Sequence, residues 1–338
     1  MKLTMILTGD VNLVAVRDPA VPFARIADAL GKADLVFGNL ECCLVDPPVG
    51  YSLDQEGFYA GPAAGGALKL GGFHGVGCAN NVTYGAVAVR ASLARLEELG
   101  IGYTGAGLNR QAAHRPLVME RNGVRFGFLQ YTSVFWPTGQ AAGEHSPGVA
   151  TIKAHTAYQP RVANRAGVPP LILTSADEGE LDEFEHDIVS LRKRVDVVVS
   201  SHHWGVAHEV LSYQRQIAHA AVEAGADIVM GHGVHYPLAI ETYKGKPIFY
   251  GLGCFSFHTG HEGRVQGDWL GLMVRVLLED RKVVRVTCVP VRHNKNNETV
   301  IRAAKAEPEG MRRLAELSGK FNTKLDIGDD EVTVWQIE

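Results

Sequence analysis

Short runs of β-branched and apolar residues alternate with stretches of helical periodicity along most of the chain, the pattern of a largely parallel sheet. Strands are predicted at residues 4–8, 34–38, 75–79, 103–105, 124–131, 195–201, 226–231 and 246–252. Between them, Leu93, Leu96 and Leu99 recur at three-residue spacing and predict a helix over 91–99 that Gly100 stops. Residues 214–224, ended by Gly225, read the same way. The pattern changes near the end, where β-rich runs at 272–278 and 282–290 are joined by Glu279-Asp280-Arg281. That is a hairpin, so antiparallel strands flank the sheet. Residues 136–170, rich in Gly, Ala, Pro and His, read as a long loop or lid, and 46–66 as a second irregular stretch.

Composition narrows the class. The 338 residues are 46% hydrophobic and 21% charged, with a net charge of −4. This is ordinary globular composition, with no reason to expect nucleic acid or a membrane as partner. The apolar start, Met1 to Leu7, is interrupted by Gly9-Asp10 before a secretory signal could form, and no run of about 18 apolar residues suggests a membrane span. Cys42, Cys43, Cys78, Cys254 and Cys288 have no Cys-x-x-Cys spacing. Reduced thiols in a cytoplasmic protein are the plain expectation.

Polar residues gather just after the predicted strands. Asp10 follows the first; Asn39 and Glu41 follow 34–38; Asn80 and Asn81 follow 75–79; His202 and His203 end 195–201; His232 and His235 follow 226–231. Strand ends on one edge of a parallel sheet are where α/β ligand sites form. Carboxylate, amide oxygen and imidazole together suit a divalent Mn, Zn or Fe ion, which polarises a substrate oxygen and activates water. Each residue alone has a blander use. A strand-end Asp is commonly a helix N-cap, and paired asparagines commonly make turns. Cys42 and Cys43 read as buried thiols rather than ligands. His114, His145, His155, His219, His258 and His261 carry no spacing that singles one out. Tyr131 and Trp136 read as core aromatics.

These motifs resemble those of the CapA-like capsule-synthesis family (poly-gamma-glutamate type) of the calcineurin-like metallophosphatase superfamily. Leu7-Thr8-Gly9-Asp10 resembles the first motif, and Gly38-Asn39-Leu40-Glu41 and His203-Trp204-Gly205 match two more. Cys78-Ala79-Asn80-Asn81, Tyr103-Thr104-Gly105-Ala106-Gly107, the Gly225–His235 stretch and the Lys244–Gly253 stretch follow in family order. The resemblance implies a four-layer α/β/β/α metallophosphatase-like sandwich with two mixed β-sheets. It implies a single domain over 1–338, with a motif-bearing core at 3–292 and a C-terminal extension at 293–338. It also implies one or two metal ions held by Asp10, Glu41, Asn81, His203, His232 and His235, with Asn80 and His202 as alternates where doubled residues leave the register open.

The departures shape the expected chemistry. Where the family pattern has the histidine thought to protonate a phosphatase leaving group, this chain has Val82, and Tyr84-Gly85 arrives two residues early. Asn12 replaces the first-motif histidine, Gly233 replaces another imidazole, and Cys254 stands at a family asparagine. Phosphate ester hydrolysis needs charge neutralisation and usually a leaving-group acid. An imide nitrogen leaves with less help. The expectation is therefore a metal-dependent hydrolase in which metal-activated water attacks a carbonyl of a small cyclic imide or amide. Asp10, His203 and His235 are the candidate catalytic residues. The alternatives are a metallophosphoesterase, a metal-dependent epimerase, and an accessory protein of poly-gamma-glutamate or capsule metabolism. The expected partner is a small-molecule substrate, and a homo-oligomer is compatible with the sequence.

Overall fold

Period-two alternation decides the layering. In the computed structural model, which describes residues 2–52, 55–162, 167–205, 208–265 and 269–337, Met5 and Leu7 of the first strand face one way and Ile6 the other. The same alternation separates Val197 and Val199 from Val198. Two apolar faces per strand require two covering layers, and two sheets stacked on each other supply one of them for both.

The larger sheet has ten strands among the described residues. Lys2–Asn12 lies at its centre, with Leu35–Leu40, Gly75–Gly77 and Gly102–Thr104 added in parallel on one side. On the other side Gly271–Glu279, Lys282–His293 and Val332–Gln336 are antiparallel, so the predicted hairpin sits as expected. The six-stranded sheet runs parallel through Val124–Thr132, Val197–His203, Ile228–His232 and Lys246–Phe249. Antiparallel Leu117–Arg121 and Ile240–Tyr243 close its edges.

Three apolar clusters fill the gaps. Between the sheets Met5, Leu7 and Phe37 meet Phe126, Phe128, Val199 and Met230, and the Phe37 and Phe128 rings stack at 4.4 Å. Outside the larger sheet, Ile6, Val36 and Val76 pack on Leu93 and Leu96 of the helix Ala86–Leu99. Outside the smaller one, Leu129, Val198 and Val229 pack on Phe184 and Ile188 of Glu178–Arg192 and on Ile217 of Ser212–Ala224. The fold is thus an α/β/β/α sandwich with two mixed sheets. The last segment joins it: Met311 and Leu314 of the helix Pro308–Gly319 enter the inter-sheet core, and Val332–Gln336 extends the larger sheet.

Two predicted elements differ in a way that has a cause. The run expected as a strand over 246–252 ends at Phe249, because Tyr250 to Gly253 carries the chain across from the small sheet to the large one, where Cys254–Phe257 pairs with the first strand. The stretch 136–170 is only partly a loop. Gln140 Nε2 donates to the Asn80 and Thr83 carbonyls, which stitches it to the asparagine loop. Ala154–Gln159 forms a ribbon with Leu171–Ala176. Residues 163–166 of this stretch and 53–54 of the stretch 46–66 lie outside the described residues. No described helix is long and apolar enough to cross a membrane.

Phe128→Ala is expected to lower the unfolding free energy by about 3–5 kcal/mol, because it empties the stack that joins the sheets. Ile172→Ser on the exposed ribbon should change it by less than about 0.5 kcal/mol. Urea unfolding of both variants checks the contrast.

Candidate metal centre

Asp10 sits where the first strand slips register with both parallel neighbours. One irregularity falls between Thr8 and Asp10 opposite Leu35–Leu40, the other between Asp10 and Val11 opposite Cys254–Phe257. A bulge re-aims a side chain out of the ladder's alternation. Gly9 is required beside it, since a Cβ there would stand 1.9 Å from the Gly253 carbonyl oxygen. The Asp10 carboxylate is fully buried and its two oxygens are divided. Oδ1 accepts from Asn39 Nδ2 at 2.8 Å and lies 3.7 Å from His232 Nδ1. Oδ2 accepts from the Gly233 N–H at 3.2 Å and lies 3.1 Å from His235 Nδ1.

The smaller sheet delivers the imidazoles. His203 and His232 are opposite one another on adjacent parallel strands, with their Nδ1 atoms 3.1 Å apart. The far edge of the His232 ring is held, with Nε2 at 2.9 Å from Ser201 Oγ and 3.0 Å from Gln130 Nε2. Gly233 then turns the chain at φ 101°, where a Cβ would lie 2.8 Å from His203 Nε2. His235 follows at φ 65°, in the left-handed region that few non-glycine residues occupy. Such strain is held where the surroundings over-determine it, often at functional sites. Its ring packs at 4.6 Å against Phe257 and is 38% exposed, and Nε2 lies 3.7 Å from Glu41 Oε1.

Each alternate left open by the sequence has other work. His202 lies on the opposite face of its strand, stacked on Trp204 at 4.6 Å beside Phe184, with Nε2 2.8 Å from Ser200 Oγ. Asn80 Oδ1 accepts from Val82 N, Thr83 N and Thr83 Oγ1, and Asn80 Nδ2 donates to the Leu40 carbonyl at 2.8 Å. Its amide is fully used in shaping the loop. Asn81 is the reverse case: its Oδ1 is buried and has no hydrogen-bond partner. A buried amide oxygen left without a donor costs free energy unless a cation or water meets it. Asn12 is structural here, accepting from Val14 N and donating to the Thr259 carbonyl. Val82 is buried in the apolar core.

Charge in the site is concentrated on Asp10. Burial alone would push its carboxyl up, but the His235 hydrogen bond and the neighbouring His235, His232 and His203 imidazoles outweigh it and hold the carboxyl well below its usual range. Burial, and then the Asp10 charge, push Glu41 well up. Burial pushes His203 down to about 4 and His232 well below its usual value. The His203 and His232 imidazoles are therefore neutral at physiological pH, which is the state that binds a metal.

The donor set fits a divalent transition metal. The ligand atoms of Asp10, His203 and His232 lie within 4.8 Å of one another, and so do those of Asp10, His235 and Cys254. A carboxylate with neutral imidazoles is ordinary company for Zn, Mn or Fe. Glu41 borders this group through Asn39 Nδ2 at 3.4 Å and His235. Residues the sequence reading passed over hold it in place. Gln130 Oε1 accepts from Ala79 N at 2.9 Å, and its Nε2 donates to Asn39 Oδ1 at 2.9 Å as well as meeting His232. The available signal was a lone amide in phase with Phe126 and Phe128 on one face of its strand. Ser201 had none.

The profile of the family described as bacterial capsule synthesis protein PGA_cap matches residues 4–259. The capsule biosynthesis protein CapA of Bacillus anthracis is 28% identical over 273 residues, which cover 77% of this chain and 61% of that protein. A probable polyglutamine synthesis accessory protein of Mycobacterium tuberculosis (strain CDC 1551 / Oshkosh) is 29% identical over 188 residues, covering 53% of this chain and 44% of that protein. The chain thus spans 61% and 44% of the lengths of these relatives. The crystal structure of a hypothetical protein from Thermus thermophilus superimposes with a TM-score of 0.51 at 16% identity, over 86% of this chain and all of that one. That likeness is one of fold.

Neutral buried histidines make the metal-free protein acid-sensitive. His202 and His203 are held at about 3 and about 4 by burial, against 6.5 when exposed. Both folded values are depressed, so their stabilisation is complete above pH 6.5 and is lost as pH falls from there through the folded values. Unfolding of the chelated protein should become easier between about pH 7.5 and about pH 5. His202→Gln should remove about 2 kcal/mol of that loss, read by urea unfolding at the two pH values.

Proposed function

The chain belongs to the bacterial capsule synthesis protein PGA_cap family, within the metallophosphatase-like superfamily, and from that premise we propose that it is a metal-dependent hydrolase opening the C–N bond of a small cyclic imide or amide. One observation carries the choice of bond. Where a phosphatase of the superfamily would present a leaving-group acid, this site has Val82, 1% exposed and packed in the core. An ester alkoxide leaves poorly without a proton, whereas a resonance-stabilised imide nitrogen does not need a strong acid.

The entrance agrees with an uncharged substrate. A cleft of about 220 Å³ is lined by Glu41, Phe58, His235, Phe257, Glu262 and Arg264. Among the described residues that line it, the single cation, Arg264, is already paired with Glu262. A phosphate dianion would meet two carboxyls and no free counter-charge from these residues, while a small ring finds apolar walls in Phe58 and Phe257. The volume suits a small molecule.

Asp10, Asn81, His203 and His232 would hold a divalent ion, with His235 and Glu41 bordering it; when bound, the ion supplies Lewis acidity toward a carbonyl oxygen and an activated water. The chain's own groups divide the remaining work. His203 is fully buried and stays neutral, so it holds rather than carries a proton. His235 is the half-exposed imidazole, between Asp10 and Glu41. Its Nε2, the nitrogen turned away from Asp10, faces Glu41 and can hold a proton there. Asp10 keeps the negative charge that fixes the imidazoles and the ion.

A second reading draws on the relatives' names, capsule biosynthesis and polyglutamine synthesis accessory protein. On that reading the chain serves polymer assembly, and the site binds or trims an amide-linked chain. The same amide chemistry would apply to a larger substrate.

The protein loaded with Mn or Zn is assayed on a five-membered cyclic imide beside an alkyl phosphate. Metal-dependent ring opening with inert phosphate is expected, and His235→Gln should slow it about 100-fold or more. Phosphate release with inert imide would overturn the reading.

A further inference from the structure

Asp10 divides its two oxygens between two groups of donors, and the second group contains a thiol. Toward Oδ1 lie His232 and, through it, His203. Toward Oδ2 lies His235. Cys254 is the register partner of Asp10 on the neighbouring parallel strand, in the short segment that has just crossed from the small sheet. The ligand atoms of Asp10, His235 and Cys254 lie within 4.8 Å of one another. Bonds of about 2.0–2.3 Å to one ion set an upper limit of about 4.6 Å between two of its ligand atoms. The group therefore needs little closure to share an ion.

We infer that Cys254 is a metal ligand, and that Asp10, His235 and Cys254 form an outer cation position bridged by Asp10 to the inner one of Asp10, His203 and His232. Cys254 is buried and spends its thiol on one long contact, 3.6 Å to the His235 carbonyl. That contact is readily given up. Cys42 and Cys43, although adjacent to Glu41 in sequence, instead meet the backbone of Leu13 and Tyr84. Neither thiol joins a group of metal-capable side chains among the described residues. A thiolate makes the outer position selective. Sulfur favours Zn(II), Co(II) or Fe(II), while Mn(II) and Mg(II) prefer an all-oxygen or oxygen and nitrogen set. Binding releases the thiol proton to solvent and leaves a sulfur–metal bond. The inner position, which lacks sulfur, accepts the harder ions. The two positions should thus fill with different metals from a mixture.

This inference rests on the metal centre of the proposed function but not on its substrate, and its test reads the metal directly. The full-length protein is stripped with chelator and titrated with Co(II). A sulfur-to-cobalt charge-transfer band in the near ultraviolet is expected, absent from Cys254→Ser and retained in Cys42→Ser. Zinc bound to Cys254→Ser should fall by one equivalent, while the manganese content stays as in the parent. Should Cys254→Ser fail to fold, Cys254→Ala and the band in the parent protein carry the same decision. Cobalt binding in the parent without the band, or a band that survives loss of Cys254, overturns the assignment. A band with no imide hydrolysis would sustain the ligand and refute the substrate instead.

Discussion

A carboxylate stripped of water is the constraint around which the molecule is arranged. Asp10 has no exposed surface, and an ion so placed costs several kcal/mol unless it is met by charge or by hydrogen bonds. The Asn39 amide and the Gly233 N–H meet it directly, and His232 and His235 stand beside it. They come from two strand ends, Asn39 from Leu35–Leu40 and the other three from Ile228–His232 and the turn after it. The larger sheet supplies Asp10 and Asn39, and the smaller one supplies the histidines and Gly233. Gln130 spans the gap, bonded to Asn39 on one side and beside His232 on the other. The sandwich that stacks Phe37 on Phe128 is therefore also what brings the polar ends of its strands together. Burial keeps His203 and His232 neutral, so neither cancels the buried Asp10 charge. A divalent cation is the natural counterpart.

Much of this was legible in the residues, and the illegible part has a common cause. Strand positions followed from β-branched runs, and the gathering of Asp10, Glu41, His203, His232 and His235 followed from their place after those runs. The choice between doubled residues did not. His202 and His203 occupy successive strand positions, so one faces the helices and the other the site, and composition says nothing about phase. Asn80 and Asn81 differ only in which amide closes the loop onto Val82 and Thr83. Gln130 was hidden because its value lies in partners from two other strands, Asn39 and His232. The helices Glu178–Arg192 and Pro308–Gly319 were missed because their apolar faces are completed by contacts far away in sequence, such as Met311 against the inter-sheet core.

The departures from the family pattern are compensated locally. Asn12 is spent on holding Val14 and Thr259, so the loss of an imidazole there leaves no hole. Val82 is packed rather than exposed, which removes a proton donor without opening a cavity. Cys254 places sulfur next to Asp10, where the family pattern has an amide. Together these changes leave the Asp10 cluster in place and alter what surrounds it. Relatives named for capsule biosynthesis and polyglutamine synthesis are similar over part of their length.

If the buried Asp10 charge is there to meet a divalent cation, equilibrium unfolding against free metal must register it. A ligand bound only by the folded state adds about 2.7 kcal/mol at about 100 times its dissociation constant. Unfolding free energy should rise with the logarithm of free zinc or manganese in the parent protein, and Asp10→Asn should abolish the dependence. A parent protein equally stable in chelator and in saturating metal would contradict it.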